Sequence, residues 1–380
     1  MTATHPDALA VPADLETPSL VVDLDVLERN LDEMANLCRG HGVELLPHAK
    51  THRVPQIGLL QIARGADGLC VAKLGEAEAF ADAGVSRMTV GYPVVGRDKA
   101  LRARRLAERV DLTLGVDSVD GARSIGEVFA QDGREIKLIL IVDSGLGRVG
   151  VQPGEAAMAT RLINEVPGVR VTGVMTHEGW VYAAPDRADL HARSQAAAAL
   201  MVGAAESIRA DGTPLPTVSL GASASARLAA GMPGVTQIRP GIYAFNDLGQ
   251  IALGNATTQT CAVRVLATVV SHPDPRRACI DAGSKALSQD GLPAAAHLGR
   301  YPGHGLLVGL PGWRIERLSE EHGWLRWHGP GEPTPLRVGQ RVQVVPNHVC
   351  TVFSSLNEAT AVRQGEVEAT WTTIGPGASR

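Results

Sequence analysis

Two histidines flank a lysine in "PHAKTHR", residues 47–53, where the apolar run Val43–Leu46 stops. A lysine at a strand end, partly desolvated and near other cations, has its pKa lowered and can form a Schiff base with an aldehyde. By itself Lys50 reads as a surface lysine in a loop. "GASAS" (Gly221–Ser225) and "RPGIY" (Arg239–Tyr243) change that reading. Small residues after two later strand-like runs leave backbone N–H groups open to an anion, and Ser223 and Ser225 add hydroxyl donors. A lysine and an anion cradle together describe a phosphorylated aldehyde cofactor, pyridoxal 5′-phosphate. In "DSGLGRVG", Arg148 supplies a cation near the cofactor ring or its phenolic oxygen. In "VVPNHVCTVF", an extended backbone puts His348 and Cys350 on one face, so both can reach one ion. Imidazole with thiolate suits zinc, and two protein ligands leave positions for water or substrate. Taken alone, the pair reads as a polar turn residue followed by a buried cysteine.

These groups need elements to position them. Strand-like runs occur at Val43–Leu46, Gly68–Ala72, Met88–Gly91, Leu112–Val116, Lys137–Val142, Val169–Met175, Thr217–Leu220 and Thr236–Arg239. Helical patterns lie between them, as at Asp25–Arg39, Leu74–Ala83, Asp98–Arg109, Gly121–Gln131, Gly154–Glu165 and Pro185–Asp211. The first repeats Leu27, Leu31, Met34 and Leu37 on one face, with Asp25 as its N-cap. Eight strand–helix units predict a (β/α)8 TIM barrel, with a doubly wound sheet as the alternative. The chemistry-bearing residues then follow the first, fifth, sixth, seventh and eighth strands, at the end where barrels carry their sites. After about residue 253 the pattern becomes short runs rich in Val and Thr, such as "TCAVRVLATVVSH", "RACIDAG", "WLRWHG", "QRVQVVPNH" and "EVEATWTTI". This predicts an all-β domain. The division is a barrel over residues 24–253 and a β domain over 254–380, which the strand near 17–23 joins.

The bulk numbers restrict the function. The 380 residues exceed one average domain, and 44 % apolar with 20 % charged residues is ordinary for a globular protein. A net charge of −4, with no basic stripe, argues against nucleic acid. No apolar run approaches the roughly 20 residues that span a bilayer, and the N-terminus has no secretory pattern. Five widely spaced cysteines without a CxxC predict a reducing, cytoplasmic setting.

The motifs "TPSLVVDLDVLERNL", "PHAKTHR", "DSGLGRVGV", "GASAS", "RPGIYAFND", "DAGSKALSQD" and "PNHVC" occur in this order. Together they resemble the D-threonine aldolase and eukaryotic-type D-serine dehydratase family. The resemblance runs from Thr17 to about residue 360. It implies the alanine-racemase-like arrangement of fold type III pyridoxal-phosphate enzymes and a homodimer with sites near the subunit interface. It also implies a divalent metal, zinc first, with manganese or magnesium as alternatives. By this resemblance Lys50 matches the Schiff-base lysine and Arg148 the arginine near the ring oxygen. Ser223, Ser225, Gly241 and Ile242 match the phosphate cradle, which Tyr243 lines. Arg239 sits where alanine racemases place an arginine against the pyridine nitrogen. His348 and Cys350 match the metal ligands. Two segments depart from the family pattern. "VMTHEGWVY" replaces a Gln-Ala-Tyr-like segment, so His177 or Tyr182 stands in for the usual tyrosine. "TVFSSLNE" replaces Pro-Thr-Val-Asn after the metal pair.

On this reading Lys50 holds the cofactor, while His48 and His52 line the mouth and shuttle protons or pack around the imine. The implied reaction is cleavage of D-β-hydroxy amino acids to glycine and an aldehyde. Dehydration of D-serine or D-3-hydroxyaspartate is the alternative chemistry. A racemase without a metal is more remote, and a non-catalytic cofactor carrier more remote still.

Overall fold

The strands of the first half are short and apolar on both faces, as parallel strands covered by helices must be. In the computed structural model, which describes residues 5–291 and 301–375, β1 (Ser19–Asp23) joins a separate sheet considered below. The next eight strands form one all-parallel sheet. They are β2 (Glu44–Leu45), β3 (Leu69–Val71), β4 (Arg87–Pro93), β5 (Asp111–Val116), β6 (Ile136–Ile141), β7 (Val169–Met175), β8 (Thr217–Leu220) and β9 (Gln237–Ile238). Their spatial order follows the chain, with β9 beside β2. An isolated parallel bridge, His48 to Cys70, links the chain just past β2 to β3 and brings the two ends of the sheet together. This is the expected TIM-like barrel.

Helices α1 (Leu24–His41), α2 (Pro55–Ala63), α3 (Leu74–Asp82), α4 (Arg97–Leu106), α5 (Val119–Phe129), α6 (Ala156–Asn164), α7 (Arg187–Ala210) and α8 (Ala226–Ala229) alternate with these strands. Local chemistry sets their starts. Pro55 opens α2, where its missing N–H leaves no helical bond unmade. The Ser118 side chain accepts from Gly121 N at the start of α5. For α1 the cap is Asp23, whose Oδ1 accepts from Val26 N at 2.9 Å. Asp25, the cap expected from the sequence, lies inside the first turn and pairs with Arg363 instead. The helix begins two residues earlier than a cap at Asp25 would place it.

The chain separates into two compact units. One comprises Asp32–Ala184 and Ala188–Gly241 and holds the barrel strands. The other comprises the chain through Leu31, Pro185–Arg187 and Ile242–Gly375. Its sheet contains β1 with β10 (Val263–Asp274), β11 (Arg277–Ile280), β12 (Leu306–Leu307), β13 (Trp313–Leu318), β14 (Gly323–Trp327), β15 (Arg341–Val345), β16 (Glu358–Arg363) and β17 (Glu366–Thr372). Every pairing is antiparallel except β1 with β16. Val21, Leu266 and Val362 form one core, against which Leu9, Val11 and Leu15 pack. Phe245 and Phe353 pack at 4.9 Å between ring centroids, a contact that contributes about 0.5–1.5 kcal/mol beyond area burial. No helix among the described residues is long and apolar enough to cross a membrane.

Candidate active site

The chain leaves β2 through Pro47 and His48 and folds into a tight 3-10 turn, Ala49–Thr51, that carries Lys50. His48 N donates to Pro240 O at 3.0 Å, and Arg53 N donates to Ala49 O at 2.8 Å. Arg53 takes a left-handed backbone conformation, φ 52°. Its Nε donates to Glu76 Oε1 at 2.9 Å, while the other oxygen of this fully buried carboxyl accepts from Ala72 N at 2.7 Å. The turn is pinned from the first turn of α3 as well as from its own end.

His52 is a correction to the sequence reading. It is fully buried, edge-on to Phe80. Its Nδ1 accepts from Val54 N at 3.0 Å, so Nε2 carries the proton and donates to Gln61 Oε1 at 3.3 Å. Burial pushes its pKa down to about 4. With both nitrogens engaged, His52 is a neutral post under the turn, not a proton shuttle at the mouth.

His48 and His177 are the imidazoles that share the field of Lys50. Burial, then Lys50, Arg239 and His177, hold His48 well below its ordinary pKa. Burial, then Lys50, lower His177 to about 4, with Arg148 and Arg239 adding to the shift and Glu178 opposing it. Both rings are therefore neutral proton acceptors at neutral pH. Arg239 is buried; its Nη2 donates to Thr176 O at 2.6 Å and its Nη1 to Ser219 Oγ. Arg148 is exposed on a loop shaped by Asp143, whose Oδ1 accepts from Gly145 N, Leu146 N and Gly147 N at 2.9, 2.8 and 3.1 Å. Arg148, Thr176, His177 and Arg239 line one small cavity. Tyr182 lies half-buried on the 3-10 turn Gly179–Ala183 that follows His177.

The Gly221–Ser225 turn departs from expectation. Its first amides do not stand open. Gly221 N and Ala222 N donate to Glu178 Oε2 and Oε1 at 3.0 and 3.1 Å, and Ser225 Oγ donates to Glu178 Oε1 at 2.6 Å. Ser225 therefore anchors an internal carboxylate. Ser223 Oγ accepts from Gly241 N at 3.0 Å. Gly241 has no room for a side chain, since a Cβ would collide with Thr51 Oγ1 and lie 2.9 Å from His48 O. Ile242 and Tyr243 open a buried 3-10 turn, Ile242–Ala244, in the other unit. Glu178 was missed in the sequence, where the only signal was a carboxylate next to His177 in a strand-end loop.

In the β-rich unit His348 and Cys350 do not lie on a strand. His348 sits at the N-cap of a short helix, Val349–Ser355, and Cys350 falls in its first turn. The two side chains nevertheless meet in a hydrogen bond. His348 Nδ1 also lies 2.8 Å from Asp290 Oδ2. Asp247 is buried; it caps its own helix through Gln250 N and accepts from Val349 N at 3.1 Å. Burial acts to lower the His348 pKa, but the hydrogen bond to Cys350, the charges of Cys350 and Asp247, and the hydrogen bond to Asp290 raise it to about 10. The surroundings of this imidazole favour a cation. Among the described residues no group of three or more His, Cys, Asp or Glu is arranged to hold a metal ion.

A family model described as the alanine racemase N-terminal domain matches residues 22–248, and a second, the putative serine dehydratase domain, matches residues 262–362. The chain belongs to the alanine racemase N-terminal domain family. Within it, the chain is 32 % identical to a D-threonine aldolase of Arthrobacter sp. over 371 residues, 97 % of this chain and 94 % of the relative. The D-threonine aldolase structure from Filomicrobium marinum superposes with a TM-score of 0.89 at 29 % identity, covering 98 % of this chain and 99 % of that one. The D-threo-3-hydroxyaspartate dehydratase from Delftia sp. superposes with a TM-score of 0.87 at 31 % identity, covering 95 % and 98 %. A D-threo-3-hydroxyaspartate dehydratase has also been solved as a cysteine-to-alanine mutant in the metal-free form.

The alanine-racemase-type cofactor, pyridoxal phosphate, suits the residues of this barrel. Arg239 Nε and His48 Nδ1 are buried polar atoms with no hydrogen-bond partner among the described residues. Buried polar groups of this kind call for a partner. At Gly221 a Cβ would lie 2.6 Å from Arg239 Nη2, so the backbone comes closer than any side chain would allow. In the other unit His348 meets one thiol, Cys350, and one carboxyl, Asp290, which are donor types that divalent metals take.

Proposed function

We propose that this chain is a pyridoxal-phosphate- and divalent-metal-dependent lyase that cleaves D-β-hydroxy amino acids into glycine and an aldehyde. The observation that carries the reading is Lys50 on its strand-end turn with two imidazoles, His48 and His177, kept neutral in its field. Full-length similarity to a D-threonine aldolase supports it. Lys50, His48, Arg148, Tyr182, Ser223, Arg239 and Gly241 are the barrel residues assigned to the cofactor, and His348 and Cys350 those assigned to the metal.

When bound, pyridoxal phosphate supplies an electron sink for the substrate Cα, and the metal supplies a Lewis acid for the substrate hydroxyl. The rest falls to the chain. His177, unprotonated at neutral pH, accepts the proton that leaves the β-hydroxyl as the Cα–Cβ bond breaks. The electron pair stays on Cα, where a proton from Lys50 completes glycine, and Cβ departs as the aldehyde. His52 keeps the Lys50 turn seated without exchanging protons. The His348–Cys350 spacing, two positions apart, fits zinc first.

Similarity to the Delftia dehydratase favours a second reading. Here Lys50 takes the α-proton, hydroxide leaves Cβ, and hydrolysis yields a 2-oxo acid and ammonia. Product analysis decides between them. D-Threonine, D-serine and D-threo-3-hydroxyaspartate are incubated with the protein, with and without a chelator. Glycine plus an aldehyde supports cleavage, and a 2-oxo acid plus ammonia supports dehydration. Neither product, with cofactor and metal supplied, overturns both.

A further inference from the structure

Glu178 has no role in the reaction just described, yet its carboxyl is fully buried and accepts three hydrogen bonds. It takes two backbone amides, Gly221 N and Ala222 N, and one hydroxyl, Ser225 Oγ. All three lie on the loop after β8, while Glu178 lies on the loop after the neighbouring strand β7. Successive amides pointing one way make an anion-binding concavity. The chain fills this one with its own carboxylate.

We propose that Glu178 is a positioning residue of the reaction centre, joining the loop that carries His177 to the turn against which Arg239 is seated. The inference rests on the function proposed above. On one side Glu178 is the chain neighbour of His177, and Gly179 packs so closely that a Cβ would lie 3.1 Å from His177 Nε2. On the other side the bonds from Gly221 N and Ala222 N hold Gly221 against Arg239. There a Cβ would meet Arg239 Nη2 at 2.6 Å and Thr176 O at 3.0 Å. Arg239 Nη2 itself donates to Thr176 O, in the residue before His177. Thr176, Glu178, Gly221 and Arg239 thus close one loop of contacts, with Glu178 as its only anion. Hydrogen bonds to a charged acceptor are about twice as strong as neutral ones, so the carboxylate outweighs any neutral substitute.

The geometry also sets the charge around His177. Its field comes from Lys50, Arg148 and Arg239, with Glu178 as the opposing charge, and His48 is the other imidazole nearby. Glu178→Gln removes the anion and sets an amide N–H2 against donors. Glu178→Asp keeps the charge but shortens the reach. Ser225→Ala removes one donor and leaves both amides.

The test measures pyridoxal phosphate affinity by equilibrium dialysis and the pH profile of kcat/KM on a D-β-hydroxy amino acid, in the full-length protein. Glu178→Gln weakens cofactor affinity by about tenfold, the loss expected for a charge-assisted bond. It also moves the acid limb of the profile to lower pH, since the charge opposing Lys50, Arg148 and Arg239 at His177 is gone, while Asp143, which lines the same cavity, is unchanged. Glu178→Asp restores part of both, and Ser225→Ala weakens affinity by less. Affinity and profile equal to the parent's in Glu178→Gln, with only the melting temperature lowered, overturn the inference. Should Glu178→Gln fail to fold, unchanged affinity in Ser225→Ala overturns it equally. A parent that binds pyridoxal phosphate but yields neither product overturns the proposed reaction, and the affinity comparison still judges Glu178. A parent that binds no pyridoxal phosphate overturns both.

Discussion

Arg53 Nε donates to Glu76 Oε1 at 2.9 Å, from the loop after β2 to the first turn of α3, and the Glu76 carboxyl it meets is fully buried. Arg53 lies three positions after Lys50, so this pair holds the far end of the lysine's turn. Arg53 also occupies a left-handed conformation that costs roughly 1–2 kcal/mol for a residue with a Cβ.

Removing the half-buried Arg53 leaves the fully buried Glu76 carboxyl without its counter-charge. Arg53→Ala should therefore destabilise the protein by about 3 kcal/mol, the low end for such losses because Ala72 N still serves Glu76. Arg53→Gly should lose about 1 kcal/mol less, since glycine adopts the backbone conformation without strain. Urea unfolding of both variants checks the order. A glycine variant less stable than the alanine variant would show that φ strain plays no part.

The turn aims one lysine. Borohydride reduction of the cofactor-loaded protein should fix pyridoxal phosphate on Lys50. Lys73 lies 3.3 Å over the Tyr92 ring, and exposed Lys285 is paired with Glu320 and Glu321. Peptide mapping that finds the adduct on either of these removes Lys50 from the assignment.

His52 makes stability depend on pH in a calculable direction. Its folded-state pKa, about 4, lies below its ordinary value of 6.5. The folded state therefore resists a proton that the unfolded chain accepts. The contribution is complete above pH 6.5 and is lost as the pH falls toward 4, by about 3 kcal/mol in total. His52→Gln should lower stability at pH 7 but narrow its loss between pH 7 and pH 4.5. Denaturation curves at the two pH values measure this, and an equal loss in parent and variant rules His52 out as the sensor.

Cys350→Ala should separate metal from cofactor. It removes one of the two assigned ligands, and one imidazole does not hold zinc tightly. Metal content should fall, cofactor absorbance should persist, and activity on a D-β-hydroxy amino acid should drop by orders of magnitude. Slow exchange of the α-proton with solvent should survive. Chelation should reproduce this behaviour, and zinc or manganese should restore the chelated parent. Full activity in both the variant and the chelated parent would remove the metal from the reaction and favour a racemase.

Much of the fold was legible because it is written in short-range pattern. The eight apolar runs between helical repeats lie where β2 to β9 form, and Lys50, His177, Gly221 and Arg239 all follow strand ends. The β-rich unit was read less completely. β13, "WRIERL", and β16, "EATAVR", were not singled out; in β13 charged residues on the exposed face interrupt the apolar run. The His348–Cys350 pair was visible as a spacing, but its backbone proved to be a helix start.

What the sequence alone determined were the periodicities and the residue types at strand ends, because a period of two or 3.6 needs only neighbours in the chain. Only the tertiary structure decided where polar groups find partners. Glu178 and Ser225 are 47 positions apart, and Arg53 and Glu76 are 23 apart. A buried carboxyl must meet donors wherever the fold brings them. That requirement turned part of an expected anion cradle into the anchor of Glu178. It also turned His52, a supposed proton shuttle, into a neutral post beneath Lys50.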